Sequence, residues 1–141
     1  MELSSINIAG LLYAIATAAF LLIGLIYAFR SKALPYHIEA LETPWEEIDP
    51  KFQFMFRALI NGGGFFGIST GLFMLILLLI PFRAGEEWAA YAIGSIGLAG
   101  TLPLGYIVMS VKKNTAANPP FKLILNINLL LIAGLVITAS T

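Results

Sequence analysis

Long apolar runs alternate with short polar ones along this chain, and no run shows a period-two alternation. Four runs are long, spanning about residues 6–29, 50–80, 88–110 and 122–139. Each reaches the roughly 17–25 residues that a helix needs to cross about 30 Å of hydrocarbon. Helix is the state required there, because an open strand leaves backbone donors and acceptors unpaired where no water reaches. The pattern predicts an all-α fold: a four-helix transmembrane bundle forming one integral membrane domain over residues 1–141. Ala16-Thr17-Ala18 offers a small-x-small cleavage pattern. No Lys or Arg precedes it, however, and the apolar run continues to Phe29, so the first run is read as a retained span.

The connections are unequal. Residues 81–87 and 111–121 are tight turns, the second stiffened by Pro119-Pro120. Residues 30–49 form the one long loop, RSKALPYHIEALETPWEEID. Inside it, Thr43-Pro44-Trp45-Glu46 matches a capping box with proline at the first helical position. This predicts a short helical turn at the membrane interface with Trp45 as an aromatic anchor. Asp49 can cap the second span and Pro50 can start it.

Within the spans, the polar and small positions are not scattered. Helices in lipid associate through small residues that let backbones approach closely. Gly63, Gly67 and Gly71 are spaced by four in the second span, and Gly64 and Gly71 fall within about 40° of the line through Gln53 and Arg57. The glycine seam and the polar stripe Gln53, Arg57 and Asn61 therefore share a broad face, expected to look into the protein. The first span offers Asn7, Gly10, Ala14, Thr17, Gly24 and Ala28 as its seam. The third offers Ala90, Gly94, Gly97, Thr101 and Gly105, with a kink expected at Pro103. For the fourth, Lys122, Asn126 and Ala133 are taken as the inner line. Asn128 lies about 200° from Asn126, so only one of the two asparagines can point inward.

Composition supports the membrane reading. Only 11% of residues are charged, against about 25% in ordinary soluble domains, and mean hydropathy is +0.89. Net charge is zero, which leaves no basic footprint for nucleic acid. The distribution of charge is more informative than its sum. Arg30, Lys32, Lys51, Arg57, Lys112, Lys113 and Lys122 fall on one side of the four-span layout, and only Arg83 on the other. The positive-inside rule then places both termini outside and both basic connections in the cytoplasm, as in a multi-pass protein of a bacterial inner membrane.

Candidate chemistry is sparse. There is no cysteine, which excludes disulfides and thiolate sites. His37 is the sole histidine, in Pro35-Tyr36-His37-Ile38-Glu39. A zinc site usually takes several nitrogen or sulfur ligands, so no metal and no cofactor are expected. The candidate ligand-binding residues are Gln53, Arg57, Asn61 and Asn126, at the cytoplasmic end, with Glu46, Glu47 and Asp49 close enough in sequence to supply counter-charge. Polar residues inside a span are functional candidates by default, whereas Arg57 could also simply snorkel to the headgroups.

Arg57, Gly62-Gly63-Gly64, Gly67 and Gly71, followed by Pro81 and Trp88, resemble the corresponding segment of small bacterial four-helix membrane families of the DoxX-like kind. The resemblance implies a fold rather than an activity and carries over no functional residue. Small multidrug exporters need a carboxylate inside the first span, and none lies between Ile6 and Phe29. The expectation is a non-enzymatic accessory subunit or a lipid-binding module. Its partners are membrane lipids, and beyond them a protein subunit or a second copy of the chain. The alternative is a small-molecule carrier or membrane enzyme using the polar cluster.

Overall fold

The computed structural model describes residues 5–140. Among them all regular structure is helical: α1 (Ser5–Ala28), α2 (Pro35–Leu41), a 3-10 turn (Trp45–Glu47), α3 (Pro50–Leu77), α4 (Glu87–Asn114) and α5 (Phe121–Ala139). A π turn over Leu78–Phe82 continues α3. It forms where Pro81 has no N–H for the α-helical ladder, and the Glu86 N–H closes back on the Pro81 carbonyl at 3.0 Å. Gly85, at φ +84°, then supplies the left-handed step that lets α4 start directly.

The helix ends follow local chemistry. Asp49 Oδ1 accepts from Lys51 N at 2.8 Å and Phe52 N at 3.4 Å, so the expected cap of α3 is present with Pro50 at the first helical position. The expected short helical turn in the loop is present as the 3-10 turn Trp45–Glu47, but no side chain caps it, so the capping box expected at Thr43 is not formed. One further helix, α2, occupies the loop. Pro35 starts it, and His37 stabilises that first turn by accepting the Leu34 N–H on Nδ1 at 3.3 Å. Helix α4 runs through Pro103 without a break and extends four residues past the expected end at 110.

The four long helices are long and apolar enough to cross a membrane. They form a bundle in which α1 packs along α3 and α5, α4 packs along α5, and a smaller α3–α4 contact closes the ring. The core is built from Ala9, Tyr13, Ala16, Phe20, Met74, Leu78, Ala90, Ile93, Ile127 and Leu131. Around it lies a belt of exposed large apolar side chains, including Leu22, Leu59, Phe66, Phe73, Ile80, Leu102 and Val136. Water would penalise such a belt heavily, while hydrocarbon would not.

Two kinds of glycine contact hold the ring. Between α1 and α3 the contact is backbone on backbone: a Cβ on Gly64 would sit 2.1 Å from Ala28 N, and one on Gly24 would sit 2.6 Å from Ile68 N. Gly67 and Gly71 continue this line against Gly24 and Leu21. Between α4 and α5, by contrast, Gly94 and Gly97 receive Leu135 and Leu131. Gly134 makes room for the Tyr13 ring, and Gly105 has only an ordinary contact, at 3.6 Å from Ile124. Gly63 departs from the expected seam. It and Gly62 face open space, because the α1 contact follows Gly64, Gly67 and Gly71 rather than the strict four-residue series from Gly63.

Candidate functional site

At one end of the bundle, α1 and α4 finish while α3 and α5 begin, and the long loop folds over them. Here the structure brings together three of the four residues singled out in the sequence. Asn61, half-buried on α3, points its amide at the end of α1. Its Nδ2 lies 3.0 Å from the Tyr27 carbonyl, 2.7 Å from that of Ala28 and 3.1 Å from that of Arg30. The last carbonyls of a helix have no partner within it, so Asn61 caps α1 from a neighbouring helix. Gln53 has a matching role nearer the start of α3. Its Nε2 donates to the Trp45 carbonyl at 2.6 Å and to that of Ile48 at 3.0 Å, fastening the 3-10 turn onto α3.

Arg57 lies between these two amides and is exposed. Its guanidinium sits 5.9 Å from the Phe54 ring centroid. Two of the three acidic residues expected as counter-charges are used elsewhere. Glu46 Oε1 pairs with Lys32 Nζ at 2.9 Å, and that bond with Lys32 holds the Glu46 carboxyl below its ordinary range. Asp49 is engaged in capping α3. Among the described residues no carboxylate pairs with Arg57. The arginine instead lines a half-open cleft of about 80 Å3 with Ser31, Trp45, Pro50, Gln53 and Phe54.

Asn126 does not join this cluster. It is exposed, and Asn128 is the asparagine that faces inward. The inner line of α5 runs through Ile124, Ile127, Leu131, Gly134 and Thr138, and Asn126 falls outside that phase. Asn128 Oδ1 accepts from Thr101 Oγ1 at 2.7 Å, and its Nδ2 donates to the Ile124 carbonyl at 3.0 Å. Gly134, which receives the Tyr13 ring, lies on the same inward line as Asn128. Asn7, offered for the seam of α1, is likewise exposed, while Tyr13, Ala16 and Phe20 carry that face inward.

Trp45 is not a free anchor. It is buried against the protein, with its ring 6.2 Å from Phe56. It belongs to an aromatic cluster that also takes in Tyr27, Tyr36, His37 and Phe52. The Tyr36 and Tyr27 hydroxyls are hydrogen-bonded, and burial raises the Tyr36 pKa. Burial also lowers the His37 pKa, so the imidazole stays neutral and its Nδ1 remains an acceptor for the Leu34 N–H. Among the described residues no three His, Cys, Asp or Glu side chains gather closely enough to hold a metal ion.

The lowered His37 pKa fixes a pH response. An unfolded chain takes up this proton as pH falls through about 6.5, whereas the folded loop resists it. Stability contributed by neutral His37 is therefore complete above that pH. It is lost as pH falls toward the lower folded value. The protection of the α2 amides, meaning their exchange relative to the intrinsic rate at each pH, should fall as pH goes from about 7.5 to about 5.5, a window in which ordinary carboxylates stay ionised. His37→Phe should flatten the change, and an equal pH response in that variant would remove His37 as its cause.

Comparison with protein-family models, with curated proteins and with solved structures finds no match to this chain. The chemistry of its own residues is the remaining guide to function.

Proposed function

We propose that the chain is a multi-pass protein of a bacterial inner membrane, with both termini outside and the loop end in the cytoplasm. There it acts as a non-enzymatic module that binds the phosphodiester headgroup of an anionic lipid at Arg57. One observation carries this reading: Arg57 has no carboxylate partner among the described residues, yet lines an open cleft where a long apolar helix begins. An arginine there can offer a phosphate two parallel N–H donors. The Ser31 hydroxyl, on the same cleft, can add a third. The seven-to-one asymmetry of basic residues supports the orientation. Gln53 and Asn61 are bonded to backbone carbonyls, which leaves Arg57 as the member of the stripe free to meet a ligand.

The test compares Arg57→Lys with Arg57→Ala. Lysine reaches water and headgroups as well as arginine does but cannot reproduce the two-pronged contact. Both variants should lose most of the anionic lipid that copurifies in mild detergent, as counted by native mass spectrometry. Full lipid retention in Arg57→Lys beside a loss in Arg57→Ala would reduce Arg57 to a snorkelling charge and overturn the reading.

A further inference from the structure

The turn between α4 and α5 forms a second cleft, larger than the one at Arg57. Its volume is about 230 Å3, and it is lined by Lys112, Asn118, Pro119, Pro120, Phe121 and Lys122. A water's share of liquid volume is about 30 Å3, so the cleft has room for a tetrahedral anion together with solvent. Lys112 stands in the last turn of α4 and Lys122 in the first turn of α5. The proline pair turns the chain so that both lysines border one space.

These two lysines have different local explanations. Lys112 suits its position, because a cation is favoured at the carboxyl end of a helix. Lys122 does not, because a cation at the amino end opposes the helix dipole, and no side chain caps α5 to offset this. A residue that conflicts with its own element marks a place where another demand was met. Among the described residues neither lysine pairs with a carboxylate.

The cleft is also held in shape. Thr115 Oγ1 donates to the Val111 carbonyl at 2.8 Å and accepts from Ala117 N at 3.2 Å. Ala117 and Pro119 are buried. From the other side, Glu39 Oε2 on α2 accepts the Asn118 N–H at 3.4 Å.

We propose that this cleft between α4 and α5 binds a phosphomonoester dianion, with Lys112 and Lys122 as its two cations and the Asn118 side-chain amide as a neutral donor. Two ammonium groups match two negative charges, whereas the single guanidinium at Arg57 matches a phosphodiester monoanion. The phosphomonoester is either a phosphatidic-acid headgroup or a soluble phosphate. The site stands independently of the one at Arg57.

The full chain is reconstituted in phosphatidylcholine nanodiscs containing either phosphatidic acid or phosphatidylglycerol at equal fraction, and lipid retention is read by native mass spectrometry. The wild type should prefer phosphatidic acid. A lysine near a membrane surface is worth about 1 kcal/mol toward an anionic lipid, so Lys112→Gln and Lys122→Gln should each weaken retention roughly fivefold. Lys113→Gln, outside the cleft, should leave the preference intact, and Arg57→Ala, which removes phosphodiester binding at the other cleft, should sharpen it. Inorganic phosphate separates the sources. Displacement of phosphatidic acid by millimolar phosphate, with lysine-dependent phosphorus chemical-shift changes, assigns a soluble ligand; retention in its presence assigns the lipid. Equal retention of the two anionic lipids by Arg57→Ala, in which only the α4–α5 cleft is left to choose between them, would overturn the proposal. So would a Lys113→Gln loss as large as that of Lys122→Gln, which would mean surface charge without a site.

Discussion

Gly64→Ala should unfold the bundle under conditions that the wild type survives, although it adds a single methyl group. The Cβ would lie 2.1 Å from Ala28 N and 2.6 Å from its Cα, so α1 and α3 must separate to admit it. Overpacking of a core commonly costs about 1–3 kcal/mol when side chains can shift. Here the obstacle is backbone, and the same α1–α3 seam carries Gly24, Gly67 and Gly71, so the expected loss is at the upper end or above. Thermal or denaturant unfolding in mild detergent measures it. Gly62→Ala and Gly63→Ala are the controls: both positions face open space, and alanine is the better helix former, so these variants should match the wild type or slightly exceed it. If Gly64→Ala melts with those controls, the close approach of α1 and α3 is absent.

This contrast within one Gly-Gly-Gly run shows what the sequence could carry. Periodicity located the four long helices to within a few residues, because an apolar run of span length leaves few alternatives. The cap at Asp49-Pro50 was equally plain, since its chemistry is local. Which glycine of three meets a neighbour is decided by the phase of the partner helix, and α1 meets Gly64 because Gly24 and Ala28 face it. The same limit explains Asn126 and Asn128. A polar residue near a basic helix end looked like a member of a site, yet the phase of α5 was set by Gly134 receiving Tyr13, a contact across the bundle between residues far apart in the chain. Helix α2 was hidden for another reason. Its start depends on a histidine imidazole accepting a backbone N–H, a device outside the usual Ser, Thr, Asp and Asn caps. The stripe Gln53, Arg57 and Asn61 was legible as a group, but what each amide touches was not, because the acceptors are main-chain carbonyls with no mark in the sequence.

Those carbonyls make Asn61 the residue whose replacement best separates architecture from ligand binding. Asn61→Asp should destabilise the protein more than Asn61→Ala. Alanine removes the donor that reaches Tyr27, Ala28 and Arg30, leaving the end of α1 without its cap. Interhelical hydrogen bonds in membrane proteins are worth about 0.6 kcal/mol on average and about 1.7 at most, so Asn61→Ala should cost about 1–2 kcal/mol. Aspartate has nearly the same shape, but it would set a carboxylate against three carbonyl oxygens. It must either bear that repulsion or take up a proton, so its cost should be greater and should shrink as pH is lowered. Melting curves at about pH 7.5 and about pH 5.5 give the order and its pH dependence, and hydrogen exchange over residues 27–30 reports the α1 end directly. Lipid retained per folded molecule should be unchanged in Asn61→Ala, because the amide is committed to the backbone and Arg57 is not. A variant Asn61→Asp as stable as the wild type at neutral pH would show that the amide does not cap α1, and the loop would then need another fastening.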